Sequence, residues 1–471
     1  RWSRRPETGR AAEMSSARGA QLRLTRLSGW GRAPVEQCMV GHPFRHEQLA
    51  EVSSSPGRTV IARGLGRSYG DSALNRGAGV LVQTHFNRLI DFNERTGSLT
   101  CEAGVSFADI ISTFLPRGWF LPTTPGTKFV TVGGAIAADV HGKNHHVDGS
   151  FGNFVEELTL MLPSGEIETC SPTAEPDLFW ATIGGMGLTG FIVTARFRLI
   201  PVETAYYDVE FRRTKDINEA LAAFAETNDR YRYSVAWIDC LAGGKSLGRS
   251  VLMLANDGRI SDLPVNLRDR PFDIPRKLGK TIPFDLPGFT LNSISVRAFN
   301  MLYYGVHSNG RKWVDFDSFF YPLDGIHHWN RIYGRRGFVQ YQALFPSAVA
   351  SGALEKLLEK ISKSGRASFL AVLKACGPRG RGLLSYLHEG YTLALDFPNT
   401  GEDLREFTKE LDEILLAHGG RLYLAKDALM ARETFDAMYE RADDFRRLKA
   451  RIDPEGRISS SQSRRLGLTG S

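Results

Sequence analysis

Cysteine is scarce in this 471-residue chain. There are five, Cys38, Cys101, Cys170, Cys240 and Cys376, an odd number with no C-x-x-C pair. That spacing excludes a disulfide framework and a thiolate zinc site, and leaves ordinary buried thiols. No apolar run reaches the ~18 residues that would span a bilayer. "SRR" at Ser3–Arg5 lacks the apolar segment that an export signal needs. An excess of one charge is also missing from most of the chain. The net charge is +7, but residues 1–32 hold eight Arg against Glu7 and Glu13, so residues 33–471 carry only +1. A near-neutral body excludes a nucleic-acid footprint. Internal repeats and low-complexity tracts are absent. What remains, 42% hydrophobic and 24% charged, is an ordinary globular composition long enough for two or three domains. Met14 reads as a start, with residues 1–14 a disordered or non-native extension.

Glycine is plentiful, with 48 in the chain, and from Arg58 to Pro201 it punctuates short strands. "TVIA", "GVLVQT" and "SLTCEA" read as strands, "SFADIISTFLPRG" as an amphipathic helix, and "ELTLMLPSGEIETC" as a hairpin turning at Pro163-Ser164-Gly165. Directly after the apolar Val60-Ile61 comes "ARGLGRSYGD", Ala62–Asp71. Glycines there let main-chain N–H groups converge on one point, as an anion requires. The G-x-G spacing lacks the following helix of a nicotinamide-binding fingerprint. A second segment, "VTVGGAIAADVHGKNHH", Val130–His146, opens a helix at Gly133-Gly134, whose first-turn N–H groups would suit a diphosphate. His141, His145 and His146 have no carboxylate or cysteine cluster nearby and are flanked by Lys143. They read as loop histidines at a cofactor or substrate site rather than zinc ligands, with a structural role for His141 the alternative.

After Pro201 the pattern changes to longer strands and helices, from "AYYDVEF" to "LREFTKELDEILLAHGG", which predicts a second sheet with helices on one face. Residues 261–315 hold Pro264, Pro271, Pro275, Pro283 and Pro287 without a clean period, and read as a mobile loop or lid. In "FVQYQ" the alternation puts Gln340 and Gln342 on one strand face, where two hydrogen-bonding groups can act on one ligand.

"ARGLGRSYGD", "PGTKFVTVGGAIAADVHGKNHH", "GSFGNFV", "DLFWATIGGMGLTG", "FVQYQ" and "RLYLAKD" together resemble the vanillyl-alcohol-oxidase-type flavoproteins, and among them the decaprenylphosphoryl-β-D-ribose 2'-oxidases, from about Leu24 to Leu466. The resemblance implies an α+β FAD-binding fold in two domains. The FAD domain spans residues 15–203 and 421–471, and a substrate domain on an antiparallel sheet, residues 204–420, is inserted between. It implies FAD held by Arg63, Gly64, Leu65, Gly66, Arg67, Ser68, Tyr69, Gly70 and Asp71, then by Gly126, Thr131, Val132, Gly133, Gly134, Ala138, Asp139 and His141, with Ile192 or Val193 near the adenine and Tyr423 near the flavin. Arg67 stands where sugar-lactone oxidases carry the histidine joined to the flavin, so the FAD should be noncovalent.

By the same resemblance Lys426 is the base or hydroxyl-orienting donor, with His141 and Tyr69 beside it. Lys143, Trp237, Phe320, Tyr321, Gln340, Gln342, Lys374, Thr392 and Ala394 match the substrate pocket, and Lys143 or Lys374 meets the lipid phosphate. Ala394 replaces a cysteine, and Thr392 an asparagine, frequent among relatives. The implied substrate is a polyprenylphosphoryl-ribose lipid oxidised at its 2'-hydroxyl, the first half of an epimerisation that feeds cell-wall arabinan. An NAD(P)H-dependent keto-reductase is the implied partner, a quinone or oxygen the electron acceptor, and the site peripheral membrane, with the periplasmic face favoured over the cytoplasmic. The competing readings are an alditol or sugar-lactone oxidase using oxygen, and a flavin carrier without catalysis.

Overall fold

The structure is a computed structural model describing residues 21–53, 57–275, 279–287, 290, 292–366, 368 and 370–470; the segment 1–14 lies outside these. The amphipathic reading of "SFADIISTF" becomes the helix Phe107–Phe114. Ser106 caps it, accepting from the Asp109 N–H while the Asp109 carboxylate accepts from the Ser106 N–H. Its buried residues, Phe107, Ile110, Ile111 and Phe114, recur at helical spacing and face the core.

The glycine-rich block builds two sheets. Arg23–Ser28, Val35–Gly41, Gly79–Val82 and Val60–Arg63 form a four-stranded sheet in that order. Leu89–Asn93, Ser98–Glu102, Phe191–Arg198, Val155–Met161 and Ile167–Cys170 form an antiparallel five-stranded one.

The second part of the chain is organised by an eight-stranded antiparallel sheet: Gly310–Asp315, Tyr206–Thr214, Ser250–Asp257, Tyr233–Ile238, Ala371–Cys376, Gly390–Pro398, Phe338–Pro346 and Arg421–Leu422. Period-two alternation splits its faces. Ala236, Ile238, Leu373, Leu393 and Leu395 belong to the core that also holds the apolar sides of the helices Ile217–Thr227, Ala350–Ser364 and Glu402–Ala417. Val235, Trp237, Val372, Lys374, Gln340, Gln342 and Ala394 line a cavity.

The chain end returns to the first sheet. Val60 bridges Ile458, Val60 N–H donates to the Arg457 carbonyl (2.8 Å), and Ser461 N–H donates to the Leu74 carbonyl (2.8 Å).

The loop reading of 261–315 is corrected over its second half. All five prolines precede residue 288. Beyond them Asn292 caps a helix, Ser293–Val306, and Gly310–Asp315 pairs with Tyr206–Thr214 as an edge strand. Residues 276–278, 288, 289 and 291 lie outside the described residues.

Candidate active site

A cavity of about 1010 Å³ lies between the glycine-rich block and the open face of the large sheet. Its size is at the upper end for one drug-sized ligand, as a long ligand requires. The loop Gly64–Tyr69 forms one wall. Among the described residues, no acceptor is found for the main-chain N–H groups of Leu65, Gly66, Arg67 and Ser68. Gly66 has φ +67, and a Cβ there would fall 2.4 Å from the Arg63 guanidinium, so only glycine fits this turn. Four unpaired donors on a cavity wall are the donor set an anionic diphosphate needs.

The second segment behaves differently from expectation. Helix Val132–Ala137 is only six residues long, and its first-turn donors are already used. Val132 N–H bonds the Val105 carbonyl (2.8 Å), Gly133 N–H the Ala103 carbonyl (2.8 Å) and Gly134 N–H the capping Thr131 hydroxyl (3.2 Å). The turn therefore offers close approach through Gly133 and Gly134, not an anion site.

Of the residues assigned to the cofactor, Gly64 to Tyr69, Gly126, Thr131, Gly133, Gly134, Ala138, His141, Ile192 and Tyr423 lie on the cavity wall. The other six do not, each for a structural reason. Arg63 points away, donating to the carbonyls of Ser28 (2.7 Å) and Ala73 (3.1 Å). Gly70 packs on the backbone of Asp427. Asp71 forms a bidentate ion pair with Arg465 (2.7 and 3.1 Å). Val132 is buried in the core. Asp139, at φ +41, accepts from the Gly152 N–H (3.0 Å) and the Ser385 hydroxyl (2.6 Å). The Val193 carbonyl accepts from Ala103 N–H (3.1 Å).

Of the substrate set, Tyr321 and Thr392 lie behind the wall. Tyr321 is hydrogen-bonded to the Thr124 hydroxyl (2.7 Å), and Thr392 sits between Gln342 (3.2 Å) and Tyr386 (2.8 Å). Lys143, Trp237, Phe320, Gln340, Gln342, Lys374 and Ala394 line the cavity.

The three lysines define the electrostatics. Lys143 donates to the Phe319 carbonyl and lies 4.0 Å from the centroid of the Phe319 ring. Lys426 lies 3.8 Å from the Tyr69 ring centroid. Among the described residues, none of Lys143, Lys374 and Lys426 is ion-paired to a carboxylate. Burial, reinforced by Lys374, pushes Lys143 down to about 7. Burial pushes Lys374 down to about 8. Burial also pushes Lys426 down to about 7, with Asp396 opposing and Lys374 adding to the fall.

His141 is buried, and its titration is pushed well below the usual imidazole range by burial and then by Lys374, His145 and Lys426, so the ring is neutral. Gln342 Nε2 donates to His141 Nε2 (3.1 Å), which leaves the proton on Nδ1, and Nδ1 has no partner among the described residues. A buried donor on a cavity wall without an acceptor points to a ligand acceptor. With the loop donors, it shows that the residues present fit FAD, whose diphosphate and ring oxygens are acceptors.

Asp396 and Arg465 were not singled out in the sequence. Asp396 shares the alternation Thr392, Ala394, Asp396, which was a usable signal; Arg465 carried none. Among the described residues there is no group of three metal-ligating side chains.

Comparison with known proteins agrees with this geometry. Residues 46–171 match the FAD binding domain family, and residues 394–466 match the D-arabinono-1,4-lactone oxidase family. The chain is 38% identical over 452 residues to decaprenylphosphoryl-β-D-ribose oxidase of Mycolicibacterium smegmatis, covering 94% of this chain and 97% of that protein. It is 34% identical over 368 residues to an uncharacterised Streptomyces coelicolor protein, covering 75% and 97%. Human Δ(24)-sterol reductase is 27% identical over 158 residues, 32% of this chain and 30% of that protein. With its glycine-rich block matching the FAD binding domain family and 94% of its length matched at 38% identity, the chain belongs to the decaprenylphosphoryl-β-D-ribose oxidase family of FAD-dependent oxidoreductases.

Proposed function

We propose that this enzyme oxidises the 2'-hydroxyl of a polyprenylphosphoryl-β-D-ribose to the 2'-ketone. The observation that carries the reading is Lys426, a cavity-lining amine without a carboxylate partner, in the same cavity as His141, Gln340 and Gln342. FAD, when bound, supplies the hydride acceptor. The chain supplies the rest. Near neutral pH much of Lys426 is neutral, so its Nζ can take or orient the hydroxyl proton. Gln340 and Gln342 project from one strand face and hold the sugar. Lys374 meets the lipid phosphate as a point charge, with Lys143 beside it. His141 Nδ1–H donates toward the cofactor.

The apolar surroundings support a lipid. Tyr303 and His307 of the segment 293–307 line the cavity, while Ile294, Met301, Leu302 and Val306 on the same helix are more than 60% exposed. Such a face at a cavity mouth suits a prenyl chain and a membrane surface. No helix among the described residues is long and apolar enough to cross a membrane. In this reading the FAD is noncovalent, a quinone or oxygen takes the electrons, and an NAD(P)H-dependent keto-reductase reduces the ketone to the arabinose epimer used for arabinan.

The match of residues 394–466 to D-arabinono-1,4-lactone oxidase favours a second reading, oxidation of a free sugar lactone or alditol by oxygen. Anaerobic stopped-flow mixing of holoenzyme with farnesylphosphoryl-ribose, arabinono-lactone or xylitol separates the two. Bleaching of the flavin absorbance by the lipid phosphate alone is expected; bleaching by the free sugars alone would replace this reading by the second.

A further inference from the structure

Behind the cavity wall lies a carboxylate with no established task. Asp396 is fully buried and sits directly opposite Gln340 in the strand register. Gln340 Nε2 donates to its Oδ1 (2.5 Å), and the Tyr333 hydroxyl donates to its Oδ2 (3.3 Å). Among the described residues it has no ion-pair partner within contact. Gln340 also acts on the Tyr69 phenol, and the Lys426 amine rests on the Tyr69 ring. Asp396, Gln340, Tyr69 and Lys426 thus form one line, from the sheet interior to the cavity.

We propose that Asp396 is a positioning residue: its carboxylate fixes the Gln340 amide, and through it the Tyr69 ring on which the Lys426 amine is held. The proposal rests on the reading of Lys426 as the acid–base group. A carboxylate accepts only, so it forces the Gln340 amino group inward and leaves the amide oxygen for the cavity side. Burial pushes Asp396 up to about 7, with Gln340, Lys426 and Tyr333 opposing, so near neutral pH it carries part of its charge, and that charge favours the ammonium form of Lys426 from a distance, against the desolvation that disfavours it.

Other groups set the same field. Lys374 acts from the neighbouring strand, His141 from the segment after the short helix, Tyr333 from the turn before Phe338–Pro346, and Arg67 and Asp324 act on Tyr69. Lys374 disfavours the charged state of Lys426, and Asp396 opposes it.

The test is competitive labelling of Lys426 in the holoenzyme by acetic anhydride across pH, read by mass spectrometry, since only the neutral amine reacts. Asp396→Asn should retain FAD and move the labelling midpoint down by about one pH unit. The acid limb of flavin reduction should move with it, and the plateau rate should fall by about tenfold or more as Gln340 turns. Gln340→Leu removes the hydrogen bond that keeps Asp396 ionised, so it should move the midpoint the same way, and it decides the matter if Asp396→Asn does not fold. Midpoints equal to the parent's in the variant that folds overturn the proposal. Full activity of Lys426→Ala would instead overturn the acid–base reading on which it rests.

Discussion

Gly70 and Asp427 touch backbone to backbone: a Cβ on Gly70 would fall 1.9 Å from the Asp427 carbonyl oxygen. Beside this contact Tyr69 N–H donates to the Ala425 carbonyl (2.9 Å). The loop that offers its N–H groups to an anion is therefore docked on the turn that carries Lys426, although more than 350 residues of chain separate them. Gly70→Ala should push the two apart at a cost of about 1–3 kcal/mol, weakening FAD retention by roughly 10–100-fold. Flavin fluorescence on serial dilution measures the loss.

Lys426→Ala should keep the flavin, because the loop donors of residues 65–68 are untouched, yet slow flavin reduction by roughly 10²–10⁴-fold. In the parent enzyme, reduction should rise through pH about 7 and level off above it. The sign follows from burial, which lowers this amine from 10.5 to about 7 and so supplies neutral base only above that value. Lys426→Arg should not rescue, as guanidinium stays protonated. Asp427 does not compete for Lys426, for its carboxylate is engaged by Arg465 (2.9 Å) and by the N–H groups of Leu429 (2.9 Å) and Met430 (2.8 Å).

Acid precipitation of the holoenzyme should leave the yellow colour in the supernatant. Arg67 donates to the Phe129 carbonyl (3.0 Å) and stacks on Trp30 (4.1 Å), and its guanidinium is no nucleophile. His141, on the cavity wall, is the alternative point of attachment, so flavin in the pellet would point to it.

Arg465 bridges Asp71 and Asp427 and donates to the Met430 carbonyl (2.6 Å). Arg465→Ala should cost about 3–5 kcal/mol near neutral pH, since two carboxylates are left buried without their cation. Burial already holds Asp71 above the usual carboxylate range, with Arg465 opposing. In the variant that opposition is gone, and the folded state binds protons more tightly than the unfolded chain. Stability should therefore be lost as pH rises through the raised value and partly regained on acidification. Urea melts of parent and variant at pH 5 and pH 8 should show a smaller difference at pH 5.

The sequence by itself determined what depends on short-range pattern. Glycine spacing in Ala62–Asp71 marked a loop whose main-chain N–H groups stay free for a ligand, helical spacing marked Phe107–Phe114, and two-residue alternation put Gln340 and Gln342 on one face, because local sterics and strand pleat set these. Tertiary structure decided the rest. The donors of Val132, Gly133 and Gly134 look available in sequence, but Val105, Ala103 and Thr131 take them up. Asp396 shares the alternation of Thr392 and Ala394, yet it matters only because the register sets it against Gln340. Arg465 carries no local signal, since its partners come from segments remote in sequence, and only chain folding brings two carboxylates to one guanidinium. Ser293–Val306 hides its helical period because its outer face is nearly as apolar as its inner one, so no contrast marks which side is buried.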